Sequence, residues 1–245
     1  MKVIILAAGK GTRLGNYTND IPKALVDVNG TSIIERQLKQ FQKNGITDIS
    51  IIVGYKKEKF SLKNVNFIYN DNFENNDLLA SLIYAEKEIC GEILILFADL
   101  LFEEKILEQI IKSTYDISIA IDLDWKKKHD DKRNNQFPPL AEIEDNKVVR
   151  ISEKKSLIRK KPSGEFFGIM KLSSHGSCIF MEILEQAKSH QGHFHDSNSF
   201  SMAKITDMIQ EIIENGYDIK PIFVNGKWLE VDTIMDLEKA KIMFQ

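Results

Sequence analysis

The feature that most narrows the fold stands at the start of the chain. Val3-Ile4-Ile5-Leu6-Ala7-Ala8 is an unbroken apolar run, rich in β-branched residues, that stops at Gly9. A strand with one face in water alternates apolar and polar residues; a strand without alternation is covered on both faces, as at the centre of a parallel sheet between layers of helices. The run therefore predicts the central strand of an α/β domain. Downstream, Ile33, Ile34, Leu38 and Phe41 recur at helical spacing before Asn44-Gly45, so 32–44 reads as an amphipathic helix. Strands are expected at 48–54, 65–69, 93–97 and 117–123, with helices at 78–88 and 103–113 between them. Beyond these the pattern predicts a hairpin over 141–151 turning at Asp145-Asn146, a strand over 166–172, and helices over 179–187 and 205–215. No repeat or low-complexity segment interrupts the 245 residues, and one domain is expected.

Composition excludes some partners. With 33 basic and 36 acidic residues the formal net charge is −3, without the basic excess that holds a nucleic-acid backbone. No run approaches the ~20 apolar residues of a membrane span, and the leading run is too short for a signal sequence. A cytoplasmic protein is expected, with no nucleic acid or membrane among its partners. Cys90 and Cys178 each sit in an apolar stretch and are expected to be reduced, buried thiols. His190, His193 and His195 fall in a polar stretch that reads as an exposed loop, not as a metal site.

The chemistry concentrates after the first strand. Gly9-Lys10-Gly11-Thr12-Arg13 places two glycines and a hydroxyl where backbone N–H groups could approach a polyphosphate, with Lys10 and Arg13 adding charge. The spacing is neither that of a P-loop nor that of a dinucleotide fingerprint, and a Gly-x-Gly alone is as readily a tight turn. Pro22-Lys23 adds a second lysine on a stiffened backbone. Asp99 follows the buried 93–97 run at the carboxyl edge where open α/β sheets bind ligands, and Mg²⁺ takes one or two carboxylates beside phosphate oxygens. Asp232, before the last helix, is a second metal candidate or that helix's N-cap, a place Thr233 also suits.

Leu6-Ala7-Ala8-Gly9-x-Gly11-Thr12-Arg13-Leu14 followed by Pro22-Lys23-Ala24-Leu25 resembles the signature of the nucleotidyltransferases that join a nucleoside triphosphate to a small phosphorylated acceptor. Glu230-Val231-Asp232-Thr233 with Asp236-Leu237 is similar to the C-terminal element of the same family. The resemblance implies a single Rossmann-like α/β domain with a mixed, mostly parallel central sheet. It implies a nucleotide-binding half over 1–123, and over 124–245 an acceptor half with the metal element. By the same motifs, Leu6, Ala8, Gly9, Gly11 and Thr12 would wrap the triphosphate, and Arg13 would contact the departing phosphates. Lys23 would stabilise charge at the α-phosphate, and Asp99 and Asp232 would hold Mg²⁺. Gly15-Asn16-Tyr17 departs from relatives that often carry proline after the Arg-Leu pair.

The hexose-1-phosphate members' Gln-Pro-x-Gly-Thr stretch is absent, whereas Gly54-Tyr55-Lys56 and the Asn-rich 69–82 segment resemble phosphocholine and aminoethylphosphonate cytidylyltransferases. That implies CTP, with Gly54, Tyr55 and Ser81 near the base. Asp124-Trp125, Arg133, Ala141-Glu142 and Gly164-Glu165 resemble the branch that includes phosphoglutamine cytidylyltransferases, which make surface-polymer precursors. On that likeness Trp125 would cover an amine- or amide-bearing acceptor, Arg133 would hold its phosphate, and Glu142 or Glu165 would counter an ammonium. The charged 124–133 segment reads equally as a lid or as a solvated loop. A sugar-1-phosphate nucleotidyltransferase, a non-catalytic relative and a homo-oligomer all remain open on the sequence.

Overall fold

The side chains of strand β1 (Lys2–Ala7) split between two cores: Ile4 and Leu6 enter one, Val3, Ile5 and Ala7 the other. The structure is a computed structural model that describes residues 1–127, 137–154, 157–158 and 162–245. A short hairpin, β2 (Asp27–Val28) and β3 (Thr31–Ser32), leads into α1 (Ile33–Lys43). Ser32 caps α1: its hydroxyl accepts from Glu35 N while the Glu35 carboxylate accepts from Ser32 N at 3.0 Å. Then come β4 (Asp48–Val53), β5 (Asn66–Tyr69), α2 (Leu78–Ile83), β6 (Ile93–Phe97), β7 (Leu100–Phe102), α3 (Glu104–Ile111) and β8 (Ile117–Asp122). The second half supplies β9 (Leu140–Glu144), β10 (Lys147–Ser152), β11 (Ser163–Leu172), α4 (Ser174–Ala187), α5 (Ile205–Glu214), β12 (Lys220–Phe223), β13 (Trp228–Glu230) and α6 (Ile234–Met243).

Among the described residues nine strands form one mixed sheet, ordered β10-β9-β11-β6-β1-β4-β5, with β8 against β11 and β12 beyond it. From β6 through β1 and β4 to β5 every pairing is parallel, so these strands point their carboxyl ends to one edge. Antiparallel β11 bends across that sheet: its first half pairs with β9 and its second with β6. The bend falls at Gly168, where φ is +88° and an added Cβ would lie 2.3 Å from the Phe97 ring. A third, smaller core joins Leu14, Val28, Ile33, Leu101, Val231 and Leu237, packing the loop after β1 against α6 and a separate ribbon of β7 with β13.

Three expectations need correction. Helix α2 ends at Ile83, and Glu86–Glu88 closes as a 3₁₀ turn because the charged Glu86-Lys87-Glu88 supplies no apolar stripe to dock. Both cysteines are exposed. Cys90 precedes the turn at Gly91 (φ +76°), and α4 turns Ile179 and Phe180 inward, which leaves Cys178 on the solvent side. Apolar neighbours in sequence do not choose a residue's face. The histidine stretch is also less open than expected: Phe194 is buried, and His195 Nε2 lies 2.7 Å from Glu211 Oε2. No described helix is long and apolar enough to cross a membrane.

Candidate active site

At the carboxyl edge of the parallel strands, Ala8 O accepts from Tyr55 N at 2.9 Å, tying the ends of β1 and β4 together. Gly54 permits that approach, since a Cβ there would stand 2.8 Å from Phe73 and 2.9 Å from Ala8 O. Gly9, Lys10, Thr12 and Arg13 lie exposed on this edge. Gly11 is left-handed (φ +67°), and its missing Cβ would sit 2.7 Å from Lys23 Cβ. Both conformation and space demand glycine there. The following 3₁₀ segment, Thr12–Thr18, kinks at Gly15 and is pinned by the Thr18 hydroxyl, which donates to Gly11 O at 3.0 Å. The Tyr55 hydroxyl reaches the carbonyls of Thr18 and Asn19 at 3.1 and 3.0 Å, and Lys10 Nζ lies 5.4 Å from its ring centre. Tyr55 is thus a strut beneath the glycine loop.

Pro22 leads into a single turn, Lys23–Leu25, that projects the Lys23 ammonium to the centre of the edge. It donates to Asp99 Oδ2 at 2.6 Å and to Asp232 Oδ1. Arg13 Nη2 stands 2.9 Å from the other Asp232 oxygen. Asp99 lies between β6 and β7; Asp232 lies just past β13. Val231 N donates to Asp99 O at 2.9 Å, which clips the two segments side by side. One carboxylate oxygen each from Asp99, Glu230 and Asp232 gather within 4.8 Å of one another, forming the group of three or more potential ligands found among the described residues.

The electrostatics follow from this crowding. Burial draws the Lys23 ammonium toward neutrality, but Asp99, Asp232 and Glu230 outweigh it and raise its pKa. Glu230 is pushed well above the usual carboxylate range by burial and by the charges of Asp99 and Asp232, offset in part by Lys23, with Glu165 adding to the rise. Asp99 Oδ1 is buried with no hydrogen-bond partner among the described residues. Three carboxylates are the hard oxygen donors that Mg²⁺ takes, and a buried oxygen without a donor is what a ligating oxygen looks like before its cation arrives, so the residues fit a divalent ion.

Beside this centre, on β9 and β11, Glu142 and Glu165 are 4% and 3% exposed. Glu165 pairs across the sheet with Asp122, and Arg150 Nε lies 3.9 Å from Glu142 Oε2. Asp122 accepts from Trp228 Nε1 at 2.8 Å, and Trp228 stacks on Phe167 with centroids 4.3 Å apart. Trp125, in the 3₁₀ turn Trp125–Lys127, meets Phe137 edge-on at 6.0 Å. Arg133 lies outside the described residues. On the opposite flank Ser81 is 4% exposed beneath Asn70, whose amide donates to Ser81 Oγ and Asn76 Oδ1 at 3.1 and 3.0 Å. Ser81 thus supports the Asn-rich turn from below.

Residues 3–129 match the model of the MobA-like NTP transferase domain. The chain belongs to this family. It is a nucleotidyltransferase. CTP:phosphoglutamine cytidylyltransferase of Campylobacter jejuni is 26% identical over 97% of this transferase and 98% of its own length. Choline-phosphate cytidylyltransferase of Streptococcus pneumoniae is 41% identical over 47% of this chain and 52% of its own. A solved CTP:phosphocholine cytidylyltransferase from S. pneumoniae shares the fold with a TM-score of 0.73 at 24% identity, over 100% of this chain and 99% of that one.

Of the residues expected at the transferase's centre, Arg13, Lys23, Asp99 and Asp232 meet directly, with the Gly9–Thr12 loop beside them. Asp232 does not cap α6: Thr233 does, in a capping box with Asp236, which leaves Asp232 turned to Lys23 and Arg13. Glu230 was missed. It ends β13 two residues before Asp232, and on a strand i and i+2 share a face, so that spacing was the available signal.

Proposed function

We propose that this transferase couples CTP to a small phosphorylated or phosphonate acceptor bearing an amine or amide, with Mg²⁺, releasing pyrophosphate. The observation that carries the proposal is the Asp99, Glu230, Asp232 cluster with the Lys23 ammonium among its oxygens, beside an exposed glycine loop. The choice of CTP is supported by the two cytidylyltransferase relatives and by the absence of the hexose-phosphate stretch.

Backbone N–H groups of Gly9 to Thr12, with Lys10 and Arg13, would hold the triphosphate, and its orientation presents the α-phosphorus to the acceptor. Arg13 would meet the charge that develops on the departing pyrophosphate. Lys23 would turn from its carboxylates to the α-phosphate, where its positive charge stabilises the transition state. Asp99 and Asp232, with Glu230 beside them, would hold Mg²⁺, which neutralises phosphate charge when bound. An acceptor phosphate oxygen is already anionic near neutral pH, so the attack requires neither a protein nucleophile nor a general base. Trp125, Arg133, Glu142 and Glu165 would form the acceptor wall, where a carboxylate would counter an ammonium.

The test is pyrophosphate release with Mg²⁺ and each of CTP, UTP, GTP and ATP, against phosphocholine, aminoethylphosphonate, phosphoglutamine, glycerol phosphate and hexose 1-phosphates. Release with CTP and an amine- or amide-bearing acceptor is expected. Turnover confined to a hexose 1-phosphate would overturn the choice of acceptor, and turnover only with UTP, GTP or ATP the choice of nucleotide.

A further inference from the structure

Helix α1 carries a polar residue inside its apolar stripe. Ile33, Ile34, Leu38 and Phe41 are buried on the core side, and Gln37, one turn from both Ile33 and Phe41, shares that side at 1% exposed. A buried carboxamide is costly unless it is bonded; Gln37 Oε1 meets no donor among the described residues, so the two bonds made by Nε2 show what the side chain is for. Gln37 Nε2 donates to Phe97 O at 2.9 Å and to Leu100 O at 2.8 Å. Carbonyls only accept, so this orientation of the amide is the one chemistry allows. The two carbonyls bracket Ala98-Asp99, the turn between β6 and β7. The main chain holds the same turn from the other side, through Ala98 N to Leu6 O at 3.1 Å and Val231 N to Asp99 O. One turn further along α1, Gln40 donates to Phe102 O, beyond the turn.

Asp99 takes Lys23 on Oδ2, while its buried Oδ1 meets no donor among the described residues. Lys23 holds one oxygen of the carboxylate, and the placement of the group as a whole, Oδ1 included, depends on the backbone beneath it. We propose that Gln37 is a positioning residue for the Asp99 carboxylate: one amide clamps both ends of the Phe97–Leu100 turn and so aims Oδ1 at the cation site. The proposal rests on the reading of Asp99 as a metal ligand.

The test is Gln37→Met, which keeps the volume and removes both donated bonds, compared with Gln40→Met. In the metal-free protein, amides of Ala98 to Leu100 and of Val231 should exchange with deuterium at least tenfold faster in Gln37→Met and at the wild-type rate in Gln40→Met. The Mg²⁺ concentration for half-maximal pyrophosphate release should rise by about tenfold in Gln37→Met, the usual range for residues that orient a metal ligand, with KM for CTP at saturating Mg²⁺ little changed. Gln40→Met should lower the melting temperature without moving the Mg²⁺ requirement. Equal shifts in the two variants, or none in Gln37→Met, overturn the clamp. Should the methionine variant not fold, Gln37→Asn shortens the amide's reach by one methylene and is read in the same way. An active Asp99→Asn enzyme overturns the metal reading and this proposal together; an inactive Asp99→Asn with an unshifted Gln37→Met overturns the proposal alone.

Discussion

At the scale of single residues, the centre is arranged around what cannot be added. Gly11 is left-handed and its α-carbon packs against the Lys23 stem, so Gly11→Ala carries both backbone strain and a displaced lysine. Pyrophosphate release should fall by roughly a hundredfold, as for a catalytic group moved by about an ångström, while circular dichroism stays native. A near-normal rate would mean that Lys23 does not act from this position. Asp99→Asn keeps the shape and removes a charge from the cluster while Asp232 still faces Lys23; it should abolish release with little loss of thermal stability, and an unchanged rate would exclude Asp99 from the metal site.

At the scale of elements, helix α1 is set by its cap. The Glu35 carboxylate lies below its ordinary pKa because it accepts from the Ser32 side chain and backbone. A lowered folded pKa contributes stability that is present above the ordinary value of 4.5 and is lost as pH falls through the lower folded value. The acid limb of the melting-temperature profile should therefore be shallower in Glu35→Gln than in wild type. Ser32→Ala should cost about 1 kcal/mol in urea unfolding at neutral pH. The same helix shows where sequence reading stops. Its boundaries and apolar stripe followed from spacing, but Gln37 could be recognised only once β6 and β7 lay beneath it, because spacing places a residue on a face without saying which carbonyls wait there.

At the scale of the molecule, the centre is assembled from segments more than 200 residues apart, and the third core does the joining. Leu237, fully buried, packs with Leu14 and Val231, beside the glycine loop and the C-terminal carboxylates. Leu237→Ala should cost about 2–5 kcal/mol and reduce activity even where the protein remains folded. Full activity in a destabilised variant would show that this core holds α6 without setting the centre. The α/β class was readable from β1 because a strand buried on both faces leaves an unmistakable run. Arg13, Lys23 and Asp232 were readable as candidates because each belongs to a short motif, and Asp99 because it follows a buried strand run. The Asp122 to Trp228 bond was not, since it depends on β13 lying against β7 and on the packing of Trp228.

The Lys23 ammonium has one more consequence. It is the internal counter-ion of a crowded acidic centre, so the residue proposed for chemistry also keeps that centre from repelling itself. Removing one member of a buried ion pair costs roughly 3–5 kcal/mol because the other is stranded. Lys23→Met should therefore unfold more readily than wild type, and Lys23→Met combined with Asp99→Asn should recover part of that loss while remaining inactive. The centre is held together by the same charge that the proposed reaction would draw away.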